Sequence, residues 1–333
     1  MTKTYTGIDI GTGHIKMAVV SDKGVLQIAV EEVPENLVKD GRIISFEAMS
    51  DLIRETAQKN RIKTRDCAFL LHDRETFTRR LTMPAMTVDE LTLNLPYEFR
   101  DFITDEKEKY LYDYALLNMV LDPSGQPSEM DILAAATPKE TVEAYDRMLH
   151  RAGFKLRIAA PDMVAFENLI RAHDAKDPAH IQTDYCFVDI GYTSTKIHLF
   201  PSGNYEVTRS LEFGTSRLVA AVANQFSVDE RIALSYLDGN FENAQNIQPC
   251  LDLYEQLGLE VARVISFFNF NYPASQLDIV HFCGTGSYYQ PLLASLAGHL
   301  SIPLRDIEEI MPPALFATDQ MRVCPSAVGI TLQ

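Results

Sequence analysis

Residues 7–20 read GIDIGTGHIKMAVV, and residues 187–200 read FVDIGYTSTKIHLF. Both follow one frame: two small or apolar residues, Asp-Ile-Gly, four variable positions, a lysine, and an apolar run. Asp9, Ile10, Gly11 and Lys16 recur as Asp189, Ile190, Gly191 and Lys196. A repeat of this kind predicts two copies of one supersecondary unit. Each copy reads as a strand, a glycine turn and a second strand, that is, a β-hairpin. One D-x-G hairpin is only a common turn. Two in the same frame, each opening a half of the chain, predict duplicated α/β lobes whose turns face one cleft.

The residue types suit a nucleotide. Backbone N–H groups bind phosphate well, and glycine permits both the tight turn and the close approach. Gly11, Thr12, Gly13 and His14 of the first turn and Gly191, Tyr192 and Thr193 of the second are therefore candidate phosphate ligands, the two threonines adding hydroxyl donors. A carboxylate at the end of the preceding strand can hold Mg²⁺, usually through water, which makes Asp9 and Asp189 the metal candidates. Lys16 joins the candidate ligands. It and Lys196 either neutralise phosphate or point into solvent, and the sequence leaves both readings open. Farther on, LDIVHFCGTGS at 277–287 reads as a buried strand running into a glycine-rich turn and a helix. Gly284, Thr285 and Gly286 suit close approach of a flat ring or a ribose, although a plain strand-to-helix turn reads equally well. Gly214, before the helical stretch RLVAAVANQF, completes the set.

Bulk properties bound the alternatives. A length of 333 residues suits two domains or one two-lobed body, with ordinary apolar (46%) and charged (23%) shares. A net charge of −16 argues against a nucleic-acid surface or docking on an anionic leaflet. Five scattered cysteines without a C-x-x-C pair fit a reducing compartment. No stretch approaches the roughly 18 apolar residues of a membrane span, and Met1–Tyr5 runs straight into a strand pattern without a signal-peptide core. A cytoplasmic protein is expected. His14, His198 and His281 stand near the motifs but lack metal-ligand spacing. Neither a G-x-S-x-G elbow nor a G-x-x-x-x-G-K-[ST] loop is present.

Periodicity places a helix over 46–60 and a buried strand at 67–71. A strand ends at Met83-Pro84, and Thr87 caps a helix expected to reach about Phe102. Tyr110, Tyr112 and Tyr114 alternate on one strand. A turn at Asp122–Gly125 leads to a strand at 130–137, and Pro138 opens a helix stopped by Gly153. In the second half Ser227 opens a capping box, and a long helix runs over 250–271. These elements divide the chain into a first lobe core at 1–75 and 153–183 and an insertion at 76–152. A second lobe core follows at 184–212 and 277–333, with a small helical part at 213–276.

Taken together, GIDIGTGHIK, FVDIGYTSTK and HFCGTGS resemble the two phosphate motifs and the adenosine motif of the actin-like ATPase superfamily. Within it, the chain resembles the PilM family of type IV pilus assembly proteins, relatives of the cell-division protein FtsA. VKDGRIISFEAMSDLI, TRRLTMPAMTVDELTLNLPYEF, DILAAATPKETVEAYDRMLHRAGF and PSAVGITL carry this match, which covers nearly the whole chain. The resemblance implies an α/β actin-like fold of duplicated ribonuclease-H-like lobes, with the FtsA/PilM-type inserted subdomain at about 76–152. It implies binding of ATP with Mg²⁺ and capture of the short cytoplasmic N-terminal peptide of a PilN-like membrane protein, in a groove beside the insertion. It further implies a link between the pilus platform and its motor proteins, and recruitment to the inner face of the membrane by a partner.

His14, Tyr192 and Thr285 depart from the small residues usual in these motifs, which implies slow hydrolysis or none. The chain ends without the amphipathic tail of FtsA-like proteins. Alternatives are a filament-forming FtsA-like ATPase or a sugar- or acetate-kinase-like phosphotransferase, for which no substrate base stands out. The groove is expected between Thr78–Leu81, Leu91–Phe99 and the neighbouring lobe, with Leu95 and Phe99 as anchor-pocket candidates.

Overall fold

The computed structural model describes residues 4–39, 41–176, 183–273, 275 and 277–332. Met1–Lys3, Asp40 and residues 177–182, which close the expected first-lobe range, lie outside them. Strands β1 (Tyr5–Ile10), β2 (His14–Ser21) and β3 (Gly24–Glu32) form an antiparallel meander. A two-stranded ribbon, β4 (Val38–Lys39) and β5 (Arg42–Ile43), precedes helix α1 (Phe46–Lys59). The Ser45 hydroxyl accepts the Ala48 N–H to start that helix, and Met49, Ile53 and Ala57 are its buried stripe. The crossover ends in β6 (Asp66–Leu71), parallel to β1.

The chain then leaves the sheet. β7 (Phe77–Pro84), α2 (Val88–Asn94), β8 (Tyr110–Leu121) and β9 (Pro127–Pro138) build an antiparallel three-stranded sheet of order β7-β9-β8. Helix α3 (Lys139–Arg151) returns to β10 (Lys155–Pro161), which lies parallel to β6, and α4 (Asp162–Asp174) follows. The second half repeats the plan. β11 (Tyr185–Ile190), β12 (Thr195–Phe200) and β13 (Val207–Leu211) form a meander. The helices α5 (Thr215–Phe226), α6 (Glu230–Asp238) and α7 (Gln248–Asn271) lead to β14 (Val280–Cys283). Helix α8 (Gln290–His299), β15 (Leu304–Asp306) and α9 (Pro325–Gly329) close the chain. The sheet orders β3-β2-β1-β6-β10 and β13-β12-β11-β14-β15 are the same topology twice.

Several expectations shift. The helix capped by Thr87 ends at Asn94, because Pro96 lacks the N–H an α-helix needs, and a 3₁₀ turn carries on only to Phe99. The cap of α6 is Asp229, whose carboxylate accepts the N–H groups of Arg231 and Ile232. Ser227 instead closes α5 with φ of 53°. Helix α3, expected within the insertion, buries Tyr145, Met148 and Leu149 among Ile8, Met17, Met49 and Phe69 of the first lobe. Helix α9, expected in the second lobe, packs on the first, where a Cβ added to Gly7 would lie 1.8 Å from the Ala327 carbonyl oxygen.

A hydrophobic seam joins the lobes, with Phe166 of α4 stacked at 5.0 Å on Phe187 of β11 and Met321, Val323 and Cys324 beneath. A Cβ added to Gly329 would meet the Ala165 backbone oxygen of α4 at 2.1 Å, and backbone yields poorly. Gly329→Ala should therefore lower the stability by about 1–3 kcal/mol, measured by urea unfolding, with the far-ultraviolet spectrum unchanged.

Candidate functional site

The strand register sets the geometry of both turns. Asp9 lies opposite Lys16 on β2, and Asp189 opposite Lys196 on β12. Gly11 N–H donates to the His14 carbonyl at 2.9 Å, and Gly191 N–H to the Ser194 carbonyl at 3.0 Å, which closes the turns alike. The turns meet. The Thr12 and Thr193 hydroxyls are 3.1 Å apart, and a Cβ on Gly13 would stand 2.7 Å from the Tyr192 ring. Among the described residues, the amides of Thr12, Gly13, Tyr192 and Thr193 make no hydrogen bond within the protein.

The two lysines, left open by the sequence, part company. Lys16 Nζ sits 3.1 Å from Asp9 Oδ2, with its side chain 13% exposed. Burial works against its charge, but Asp9 and then Asp189 outweigh it and hold the ammonium above its ordinary pKa. Asp9 is thus bonded to this cation directly. Lys196 instead leaves its own hairpin, reaching Asp162 at 2.5 Å and Asp73 at 2.6 Å in the first lobe. Burial would raise the Asp162 carboxyl, yet the Lys196 ammonium prevails and keeps it down at about 2. Asp73 and Asp162 were not singled out from the sequence. Their signal is position: each follows the carboxyl end of a parallel strand, β6 or β10, where open α/β sheets place their ligand crevice.

The remaining candidates gather around β11. Gly284, at φ of 85°, would place a Cβ 2.3 Å from Asp189 Oδ1, and Gly286 would place one 2.2 Å from the Ile190 side chain. These glycines are buried under the Asp-Ile-Gly strand, which leaves Thr285 half-buried and Tyr288, a residue not foreseen, 42% exposed. A Cβ on Gly214 would strike the Tyr192 carbonyl oxygen at 2.2 Å. The first amides of α5 are occupied by the second turn, Thr215 N–H on the Gly191 carbonyl and Ser216 N–H on the Tyr192 carbonyl. Gly214 thus supports that turn. Burial first, then Lys16, lowers the His14 pKa, so His14 brings a neutral ring whose Nδ1 has no partner.

These residues fit a magnesium nucleotide in kind. They offer unpaired turn amides, hydroxyls, glycine cradles that a Cβ would fill, and two carboxylates. Among the described residues no three His, Cys, Asp or Glu side chains cluster as a metal site, and two carboxylates suffice for water-mediated Mg²⁺ attachment.

A concavity of about 430 Å³ lies where the insertion meets the first lobe. Leu71, Thr76, Thr78, Pro161 and Val164 form its walls, and the consecutive β8 residues 111–115 line one side. Leu95 and Phe99 do not reach it. They are 2% and 1% exposed and pack with Leu81, Leu91 and Ile132 on the other face of the insertion sheet.

Two sheets of one topology, with matched Asp-Ile-Gly turns meeting between them, define an actin-like ATPase fold. The family described as type IV pilus assembly protein PilM matches residues 7–315, and the chain belongs to it. Among solved structures, a PilM-PilN type IV pilus biogenesis complex is similar at 20% identity and a TM-score of 0.79, over 98% of this chain and 97% of the other. The ethanolamine utilization protein EutJ from Carboxydothermus hydrogenoformans follows at 16% identity and a TM-score of 0.62, over 99% and 89%. MreB 5 of Spiroplasma citri, bound to AMPPNP, is similar at 12% identity and a TM-score of 0.54, over 99% and 95%.

Because the Tyr192 ring rests on Gly13 between the turns, Tyr192→Gly should tighten binding of Mg-ADP about tenfold, near 1.4 kcal/mol, by isothermal titration. Weaker binding would show that the ring helps to hold the nucleotide. Asp9→Ala strips Lys16 of its partner. It should cost about 1–3 kcal/mol of stability without ligand, read by urea unfolding.

Proposed function

We propose that the protein is a nucleotide-binding adaptor of a type IV pilus inner-membrane platform, holding Mg-ATP between its lobes and the cytoplasmic peptide of a PilN-like membrane protein in the insertion groove. Family membership supports the setting; the groove between the insertion sheet and the first lobe is the observation that carries the adaptor role. Leu133, Ala135 and Thr137 alternate along β9 and lie opposite Ala115, Asp113 and Leu111 of β8, with Thr78 of β7 opposite Ala135, so the groove runs across one face of the three-stranded sheet. A short peptide can lie between that face and the first lobe, its side chains filling the apolar space. Its apolar positions face Leu71, Ala160, Pro161 and Val164. Asp113 is the charged residue of the lining and favours a basic residue opposite it.

In the cleft, Asp9 and Asp189 hold Mg²⁺ through water, the amides of Thr12, Gly13, Tyr192 and Thr193 cradle phosphate, and Tyr288 beside Gly284–Gly286 meets the base. Bound Mg²⁺ would supply charge neutralisation for the phosphates. Asp162 is a poor proton acceptor, since its ion pair keeps it ionised down to about 2, far from the near-neutral value a general base needs. Slow or no turnover is part of this reading. No helix among the described residues is long and apolar enough to cross a membrane. A cytoplasmic chain recruited to the membrane face through the groove, and there meeting platform and motor proteins, accords with this.

Two measurements test the reading. Millimolar Mg-ATP should raise the melting temperature by a few degrees, as a ligand at about 100 times its Kd adds roughly 2.7 kcal/mol, with turnover below about 1 per second. A synthetic N-terminal cytoplasmic segment of a PilN-like membrane protein should bind with micromolar Kd, about −8 kcal/mol. Val164→Asp should abolish that binding while leaving the nucleotide shift intact.

A further inference from the structure

Lys16 and Lys196 stand at equivalent places in the two hairpins, and both already hold carboxylates. Lys16 is bonded to Asp9 at 3.1 Å, and Lys196 to Asp162 and Asp73 at 2.5 and 2.6 Å. What the turns offer a phosphate is therefore neutral: the amides of Thr12, Gly13, Tyr192 and Thr193 and the two threonine hydroxyls. Carboxylates also stand around the Tyr192 ring. Burial first, and then Glu230 of α6 with Glu35 and Glu32 at and beyond the end of β3, hold its hydroxyl above the usual tyrosine pKa.

The space between the turns is closed as well. The Thr12 and Thr193 hydroxyls are bonded to each other at 3.1 Å, and the Tyr192 ring lies 2.7 Å from where a Cβ of Gly13 would stand. A phosphate oxygen bonded to both turns needs about 2.7–3.2 Å on each side. A phosphate between them must therefore part the hydroxyls and move the ring. The backbone around this pinch is tied down. The Tyr192 carbonyl accepts the Ser216 N–H of α5 at 2.9 Å, and the Gly13 carbonyl accepts the Val33 N–H at 2.9 Å. The ring of Tyr192 is then the part left to swing. A nucleotide reaching in from Gly284–Gly286 meets the second turn first, since those glycines lie on Asp189 and Ile190 just before it. Its phosphates run toward the pinch, and a third phosphate has to stand inside it.

We infer that the cleft selects a nucleoside diphosphate over the triphosphate, with Tyr192 and the Thr12–Thr193 pair filling the place of a terminal phosphate. The inference rests on the nucleotide reading above and narrows it: Mg-ATP binds, more weakly than Mg-ADP. A third phosphate brings further negative charge, and burying charge without a cation or hydrogen-bond partners is costly. Asp9 and Asp189 serve the Mg²⁺ of either nucleotide alike, so they do not offset the difference. A diphosphate needs only the free amides on the near side of the pinch. Tyr192 is thus a specificity-determining residue, at a position where a smaller side chain would leave the gap open.

Isothermal titration of the full chain with Mg-ADP and with the Mg²⁺ complex of β,γ-imido-ATP, which yields no diphosphate during the measurement, tests the selection. The native protein should bind the diphosphate about tenfold more tightly, the worth of one unmade hydrogen bond to a charged group. In Tyr192→Gly the triphosphate analogue should gain about tenfold more than the diphosphate, so that the preference is lost. Tyr192→Phe keeps the ring and should keep the preference. Should Tyr192→Gly fail to fold, Tyr192→Ala should show the same loss. Glu32, Glu35 and Glu230 are exposed, and about 1 M salt shortens the screening length to about 3 Å. The preference should persist there, because the pinch is steric. Equal or tighter binding of the analogue by the native protein overturns the selection and leaves nucleotide binding standing. A preference that survives in the small-residue variants, or that vanishes in salt, overturns the pinch as its cause. If neither ligand binds at millimolar concentration, the nucleotide reading itself falls, and the selection with it.

Discussion

Two lysines placed by one strand register close their charges in different ways, and the rest of the molecule is arranged around that difference. In the first lobe the ammonium of Lys16 stays at home, bonded to the Asp9 carboxylate across the hairpin and within the field of Asp189. In the second the equivalent amine turns away from Asp189 to bind Asp162 and Asp73. A charge removed from water needs a partner, so each choice fixes its surroundings. The first fixes the base of the cleft. The second ties β12 to two strand ends of the opposite lobe.

The glycines serve the same economy of space. Gly284 and Gly286 let the turn after β14 lie directly on Asp189 and Ile190, and Gly214 lets α5 begin against the second turn. Gly7 and Gly329 let the last helix insert between β1 and α4. In each case a methyl group would overlap backbone or a strand end, and backbone in a packed interior does not give way cheaply. The cleft is therefore built by close approach of three turns, of which the first two keep the amides of Thr12, Gly13, Tyr192 and Thr193 free, and the Tyr192 ring lies against Gly13.

The insertion follows a different logic. Its α2 side is filled by Leu91, Leu95 and Phe99 and is closed. Its other side meets the first lobe across a gap, because α3 packs with α1 and Phe69 instead of covering the three-stranded sheet. Leu111, Asp113 and Ala115 of β8 and Leu133, Ala135 and Thr137 of β9 face that gap.

The chain itself displays the duplication, since Asp-Ile-Gly with a lysine at fixed spacing is a local pattern. The two hairpins, the Thr87 capping box and the long helix before Pro273 were legible for the same reason: short-range periodicity and capping chemistry decide them. The family could be read from the motifs, and the match over residues 7–315 bears it out. Contacts between distant segments could not be read. The sequence shows Lys196 beside a glycine turn but not the two carboxylates, far off in the chain, that take its charge. It shows Leu95 and Phe99 as apolar residues on a helix beside a presumed groove, but not which face of the sheet they fill. It gives PSAVGITL no address, though Gly7 and Ala165 are shaped to receive it. Sequence determines the local elements because backbone sterics and hydrogen bonding act over a few residues. Only tertiary packing decides which buried charge meets which, because burial itself exists only once the lobes have closed on each other.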